Sequence, residues 1–404
     1  MTKNRFSVFV VGLIVLGLSS AVSATAQFQL GNNDTRITAP KNMSFRVLSP
    51  AMTSGIQQRD LKAAAASGPV LQTFTRNITS SKNGVTYTYT IVGQDPFLGP
   101  GVPTTTQTPV IPIVFSFDSD GSVFDPTQPT SCSSGHSIDE ATLNSPMFQS
   151  APSDFFSNGV DAGATQYGDA LQRAEFFSLI DDGYHTNLAA SEPGAIAVQV
   201  GTSVGFTAAI GCTGNVGFIE INSWDFFVQT QLMPFVAANF GVTQDQFPVF
   251  LLSNVYWFIG SPGNCCVLGY HNAFLFSGSI QTYSPMTFDT SGIFGPAAQD
   301  TAVAAHEIGE WLNDPYINNA TPAWGNIGQV GGCQGNLEVG DPLTGTQIDP
   351  VMMPNGYLYH LQELAFFSWY YNGQFDPSLG AGGGFSFNGT FQGPAKVCPP
   401  GGTF

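Results

Sequence analysis

Polar and apolar residues alternate along two short segments in the first quarter of the chain. Residues 71–78 and 85–92 show the period of two that is typical of half-buried strands. Between them stands Asn83-Gly84, a pair that favours a tight hairpin turn. A segment rich in Pro, Thr and Gly follows at 99–109, and 110–117 is a continuous apolar run. The pattern predicts a β-hairpin, a linker and then the first buried strand of a larger body.

Helical and strand-like segments alternate through the rest of the chain. Residues 164–180 repeat apolar side chains at helical spacing, and Ser223 is expected to cap a second helix over 224–240. The remaining elements are predicted strands at 195–200, 216–221 and 247–258, a hairpin at 270–276 and 279–288, and a final aromatic helix at 357–371. This order predicts an α+β fold in which helices pack on a mixed sheet.

A stretch of mostly small residues predicts one further helix, which begins near Pro296 and ends before Pro315. His306 and Glu310 are four residues apart, so they share one face of this helix. Two ligands for a divalent metal can therefore come from a single element. Glu307 points about 100° around the same helix axis, beside such a metal, where a general base is expected.

The N-terminus has the pattern of a secretory signal peptide. Lys3 and Arg5 precede an apolar run at 6–18, and a small-residue cleavage site ends at Ala26. We predict that residues 1–26 are removed and that the protein is secreted to the extracellular space or the periplasm. No other apolar stretch reaches the roughly 20 residues that a membrane span needs.

Charge and cysteine content narrow the class of protein further. The formal net charge is −17 with only 11 Lys and Arg, which argues against nucleic acid as a partner. Six cysteines in an exported chain predict disulfides, for which fifteen pairings are possible. Because Cys265 and Cys266 are adjacent, we expect each to pair with a more distant cysteine.

The pattern divides the mature chain into two predicted parts. Residues 27–105 form an N-terminal β-rich extension, whose polar, Ala- and Ser-rich first part resembles a pro-segment. Residues 106–404 form a metal-binding domain that contains the His306 helix.

The central motif resembles the signature of the zincin metallopeptidases. His306-Glu307-Ile308-Gly309-Glu310 matches the zincin pattern His-Glu-x-x-His, with Glu310 in place of the second histidine. A carboxylate in that place can still bind zinc. Gly269-Tyr-His271, Asn313-Asp-Pro315 and Leu337-Glu-Val-Gly-Asp341 are similar to segments of exported bacterial proteins that distantly resemble the plant exordium, or phosphate-induced, family. The resemblance implies a zincin-like, specifically metzincin-like, fold with an active-site helix.

The resemblance also suggests where the third metal ligand lies. The metzincin third histidine corresponds to Tyr316 here, whereas gluzincins take a later glutamate, for which Glu338 is our candidate. Asp341 is then expected to hydrogen-bond the ligating His306. Met352-Met-Pro354 resembles the metzincin Met-turn. Other candidates for the third ligand stay open: Asp314, His271 and His360.

These features predict an exported zinc-dependent hydrolase that acts on a peptide or protein substrate. In such a site the metal polarises a water and the scissile carbonyl, while Glu307 accepts the water proton and passes it to the leaving amine. Tyr316 and Tyr359 are candidates for stabilising the oxyanion. A ligand set of one histidine and two carboxylates also suits Mn²⁺ or Ca²⁺. The alternative is a non-catalytic module that binds a cell-wall or matrix component and whose metal is structural.

Overall fold

The computed structural model describes residues 27–40, 43, 45, 70–81, 83–99, 101–157, 160–325, 333–371 and 384–391. The predicted signal peptide and most of the polar first part of the predicted extension lie outside the described residues. Among those described, no helix is long and apolar enough to cross a membrane.

Strands outnumber helices in the described residues. The strands are β1 (Gln27–Leu30), β2 (Thr73–Thr79), β3 (Thr86–Val92), β4 (Thr104–Phe117), β5 (Val123–Phe124), β6 (Phe156–Ser157), β7 (Val160–Asp161), β8 (Thr186–Ser191), β9 (Ile196–Val200), β10 (Gly205–Ala208), β11 (Val216–Glu220), β12 (Val249–Ser253), β13 (Val255–Phe258), β14 (Cys265–Val267), β15 (Asn272–Phe276), β16 (Ser279–Phe288), β17 (Ala320–Gly325), β18 (Cys333–Asn336), β19 (Val351–Met352) and β20 (Leu358–Tyr359). The α-helices are α1 (Ile138–Leu143), α2 (Tyr167–Glu175), α3 (Ile221–Phe227), α4 (Met233–Phe240), α5 (Ala302–Asn313) and α6 (Ser368–Tyr371).

A largely parallel sheet forms the centre of the fold. Its strand order is β1-β9-β4-β12-β16-β15, and each neighbouring pair is parallel except the hairpin β15–β16. Strands β8 and β5 also pair with β4. A second sheet has the order β10-β11-β13-β14. The predicted α+β class with a mixed sheet is consistent with this architecture.

The central sheet has a hydrophobic core on each face. Along β12, Val249 and Leu251 belong to one core while Phe250 and Leu252 belong to the other, as the period of two requires. The first core is shared with α2 and α5, and the second with α3 and α4. Helix α5 is fixed on the sheet by Trp311, which stacks on Phe247 at a ring-centroid distance of 3.9 Å. The sheet is thus a buried platform for α5.

The predicted N-terminal hairpin is confirmed as β2 and β3, and it packs into the first core. The predicted linker at 99–109 is strand from Thr104 onward, because β4 starts there and pairs with β8. Strand β4 therefore crosses the predicted domain boundary at residue 105. Strand β1, from the predicted extension, pairs with β9 of the predicted main domain. The predicted extension and the main body share one sheet and one core.

Two helix predictions need correction at their first residues. Pro296 lies in a separate turn of 3-10 helix, Gly295–Ala297, and α5 begins only at Ala302, because Ala298 is extended and interrupts the helix. The second helix starts three residues earlier than predicted. Its cap is Glu220, whose carboxylate accepts the Ser223 backbone N–H at 2.8 Å, so Ser223 is not the cap.

The predicted aromatic helix at 357–371 is wrong except for its last turn, α6. Strand β20 pairs with β19, and Gln362 and Ala365 make isolated bridges to Gln347 and Ser386. All residues from 361 to 371 are buried, so the hydrophobic pattern of this part does not distinguish strand from helix.

The prediction that Cys265 and Cys266 each pair with a more distant cysteine is also wrong. Cys265 and Cys266 form a disulfide with each other, within β14. Cys132 pairs with Cys212, which leaves neither available to the adjacent pair. The Cys333 side chain and Cys398 lie outside the described residues.

A buried carboxyl on α2 generates a test of the packing between α2 and the segment before α6. Glu175 is 1% exposed and accepts the Phe367 backbone N–H, and burial raises the pKa of its carboxyl to about 8. The native state therefore keeps a proton that the unfolded chain loses above about pH 4.5. The free energy of unfolding should fall between pH 4.5 and 8, at most by about 1.4 kcal/mol per pH unit.

The side chain of Glu175→Gln stays neutral at every pH. The part of the fall in the free energy of unfolding that comes from Glu175 should therefore be absent in this variant. Urea unfolding at a series of pH values should show the variant gaining stability relative to wild type as the pH rises through this window. The exposed Glu140→Gln serves as control and should follow the wild-type profile. Parallel profiles for Glu175→Gln and wild type would contradict the assignment.

Candidate metal centre

Helix α5 directs three ionisable side chains into the protein interior. Glu307 and Glu310 are each 5% exposed, and the His306 side chain is 12% exposed. The helix lies this deep because Gly309 allows close packing: a Cβ atom there would stand 2.6 Å from Leu364 Cδ1. The motif residues are therefore part of a buried polar cluster and not a solvated helix face.

A first group of possible ligands surrounds the His306 ring. Its Nε2 lies 3.0 Å from Glu310 Oε1 and 3.7 Å from Asp341 Oδ1. One nitrogen and two carboxylate oxygens, all within 4.8 Å of one another, could hold a metal ion. Asp341 arrives from the segment after β18, where Gly340 packs directly against the His306 ring.

Gln362 determines which ring nitrogen of His306 can face a metal. The Gln362 Nε2 donates to the Gly340 carbonyl at 2.7 Å, so its Oε1 is turned toward His306 Nδ1, 3.1 Å away. In neutral His306 the proton then resides on Nδ1 and the Nε2 lone pair points at Glu310 and Asp341. This is the arrangement that metal-ligating histidines commonly have.

A second group forms around His271, which immediately precedes β15. His271 Nδ1 lies 3.7 Å from Glu307 Oε2 and 3.7 Å from Glu310 Oε2. The other ring nitrogen, Nε2, lies 3.1 Å from the Asp314 carbonyl, which fixes the ring in the same way as Gln362 fixes His306. The second group could also hold a metal ion, and it shares Glu310 with the first.

Glu338 completes the cluster but belongs to neither group. It follows β18, is buried, and hydrogen-bonds to Glu310. Its Oε2 has no hydrogen-bond partner and lies 4.0 Å from His271 Nε2. An orphaned buried carboxylate oxygen costs free energy unless a cation or proton satisfies it.

The cluster concentrates negative charge away from solvent. Two imidazoles face five carboxyl groups, those of Glu307, Glu310, Asp314, Glu338 and Asp341. The described residues include no lysine, and their three arginines bond elsewhere: Arg36 to Ser119, Arg76 to Asp95, and Arg173 to Ala162 and Tyr184. Burial of carboxylates requires compensating positive charge. The donor set and the orphaned oxygen therefore fit a divalent cation.

The pKa directions describe how the protein alone accommodates these charges. Burial by itself lowers the pKa of His306, but Glu310, Glu307 and Asp341 outweigh it and hold that pKa well above its usual range. Burial, and then the charges of Glu310, Asp314 and Asp341, raise the pKa of Glu338 well above normal. Protons thus balance part of the charge when no cation is bound.

Burial also raises the pKa of Glu307, and the neighbouring His271 and His306 offset this only in part. Burial raises the pKa of Asp314 to about 6. Its carboxylate accepts the backbone N–H groups of Asn318 and Asn319, so Asp314 mainly shapes the chain after α5.

Other residues singled out from the sequence lie outside this cluster. His360 Nδ1 bonds to Asp300 Oδ2 at 2.6 Å, at the start of α5. Tyr316 hydrogen-bonds to Thr73, and Tyr359 donates to the Ala141 carbonyl. Met352 is 53% exposed, which does not suit a floor beneath a buried metal, although Met353 is buried.

Gln362 and Gly340, which both contact the His306 ring, are the positions that sequence reasoning missed. The only available signal was the proximity of Gly340 to the candidates Glu338 and Asp341.

No family model, curated protein or solved structure matches the chain. The geometry of the cluster and the motif are therefore what indicates a function.

A single methyl group at residue 340 tests the first group. Gly340 has helical backbone angles, so alanine fits its backbone, but a Cβ would stand 2.7 Å from His306 Cγ and Nδ1. We expect Gly340→Ala to displace the ring and weaken zinc binding about 10- to 100-fold, as other changes around a ligating histidine do. Isothermal titration calorimetry measures this.

The matched control is Gly263→Ala, where the new Cβ meets nothing within 4 Å. Zinc affinity should be unchanged in the control. Equal affinity in the two variants would show that His306 is not a ligand.

Proposed function

We propose that the protein is an exported, zincin-like metal-dependent hydrolase that cleaves peptide bonds. The observation that carries the proposal is the arrangement on α5. His306 Nε2 lies 3.0 Å from Glu310 Oε1, and Glu307 follows the histidine on the same helix. The His-Glu-x-x-Glu motif on a helix that packs against a central sheet supports the zincin-like fold. The apolar run at 6–18 in the predicted signal peptide supports export.

The proposed ligands are His306, Glu310 and Asp341. Asp341 takes the third place in preference to Glu338 because its Oδ1 faces His306 Nε2, whereas Glu338 hydrogen-bonds to Glu310. Glu338 is the alternative third ligand. Zinc suits one imidazole and two carboxylates, and so does Mn²⁺.

The reaction assigns a separate role to each group of the cluster. When bound, the cation supplies Lewis acidity for the substrate carbonyl and the attacking water. Glu307 accepts the proton of that water and delivers it to the leaving amine. Burial raises the pKa of the Glu307 carboxyl in the metal-free protein, and a bound cation would act in the opposite direction. Gln362 holds His306 in the required tautomer.

A second candidate function is a non-catalytic extracellular module that binds a matrix or cell-wall component and uses the metal for stability. Burial favours it. Catalytic zinc sites keep an open coordination position, whereas structural sites are closed. The cluster residues are almost inaccessible, with His306 the most exposed of the helix residues at 12% for its side chain.

Glu307→Gln separates the two functions. At one equivalent of zinc the variant should retain the metal, because Glu307 is not in the first group, but lose about 10²- to 10⁴-fold in hydrolysis of a quenched-fluorescence peptide library. His306→Gln should lose both the activity and the zinc that the first group holds. Elemental analysis of the purified proteins accompanies the assay.

Wild type that holds zinc and cleaves no peptide, with thermal stability that depends on zinc, would establish the non-catalytic module. Wild type without affinity for any divalent metal would contradict both functions.

A further inference from the structure

The geometry points to a second divalent-cation subsite, formed by His271, Glu307 and Glu310, so that the cluster holds two cations bridged by Glu310. The proposed function needs only the cation at His306. The subsite stands on contacts that the first group does not use.

The surroundings of His271 are those expected of a metal ligand. It is 4% exposed, and its Nε2 is committed to the Asp314 carbonyl at 3.1 Å. The neutral ring therefore turns the lone pair of Nδ1 toward Glu307 Oε2 and Glu310 Oε2, each 3.7 Å away. These separations match those between neighbouring ligands of one cation, which stand about 2.0–2.2 Å from zinc.

Glu310 presents a different oxygen to each histidine. Its Oε1 lies near His306 Nε2 and accepts the backbone N–H groups of Gly340 and Asp341, each at 3.2 Å. Its Oε2 faces His271. A carboxylate shared in this way is the bridge found in two-metal sites, whose ions lie about 3.5–4 Å apart.

The close approach of Gly269 keeps Glu307 in place for this subsite. A Cβ at residue 269 would stand 2.8 Å from Glu307 Cγ, so glycine gives the Glu307 side chain its space beside His271. The second subsite is thus assembled from the segment before β15 and from α5.

The cluster contains more carboxyl groups than the first cation uses. Five carboxyl groups face the two imidazoles, and the first group uses only two of them, those of Glu310 and Asp341. The Oε2 of buried Glu338 lies 4.0 Å from His271 Nε2, so a further buried acceptor stands beside the other nitrogen of the same ring. Imidazole with carboxylates selects ions such as Zn²⁺ or Mn²⁺.

A second cation changes the role of Glu307, and this consequence rests on the proposed function. With one cation, Glu307 is a free base; with two, its Oε2 is a ligand and no longer accepts the proton of water. Peptide hydrolysis should therefore rise up to one equivalent of zinc and fall about 10²- to 10⁴-fold between one and two, as it does in Glu307→Gln. Activity that keeps rising to two equivalents would overturn this consequence.

Metal stoichiometry tests the subsite without reference to activity. Apoprotein is titrated with Zn²⁺ by calorimetry, and bound metal is counted by elemental analysis after gel filtration. Wild type should bind two ions, while His271→Gln and His306→Gln should bind one each. His360→Gln, a histidine outside the cluster, is the matched control and should bind two.

The outcomes separate this inference from the proposed function. One ion in wild type and in His271→Gln, with none in His306→Gln, overturns the second subsite and leaves the first. One ion in wild type that is lost only in His271→Gln overturns both the second subsite and the proposed ligand set. If wild type binds no ion, both the second subsite and the proposed function are overturned.

If a variant does not fold, a measurement on wild type alone still tests the second subsite. With two equivalents of Mn²⁺, electron paramagnetic resonance should show the multiline spectrum of a spin-coupled pair. A spectrum of isolated Mn²⁺ would overturn the shared bridge.

Discussion

The burial of five carboxyl groups around two imidazoles is the constraint on which the described structure depends. The groups come from three separate parts of the chain: the segment before β15, helix α5 with the Asp314 that follows it, and the segment after β18. Without compensating positive charge, their mutual repulsion and desolvation would oppose the packing of these segments. A divalent cation at this point would join them, so that metal binding and folding would be coupled.

Much of the site was predictable because α-helical spacing is fixed. His306, Glu307 and Glu310 lie where the periodicity places them, and Glu338 and Asp341 do approach the helix. The partner of His306 was not predictable. Gln362 lies in a segment whose apolar pattern suggested a helix, and only the tertiary fold brings its amide to the His306 ring.

The same limit explains the errors in the fold. Local signals identified the β2–β3 hairpin and the buried strands, because turn residues and period-two patterns act over a few positions. These local signals failed where contacts between residues far apart in the sequence determine the secondary structure. Strand β4 extends into a Thr- and Pro-containing segment because β8 pairs with it, and Pro296 begins a separate turn. The two histidines illustrate the point most clearly, since each is oriented by a distant acceptor.

We propose that a divalent cation binds between His306, Glu310 and Asp341. The most direct measurement is a crystal structure of the zinc-loaded protein with anomalous data collected on both sides of the zinc absorption edge. We predict an anomalous peak about 2.0–2.2 Å from His306 Nε2 and from the facing oxygens of Glu310 and Asp341. Zinc-soaked crystals with no peak in this cluster, or with zinc only at the protein surface, would contradict the account.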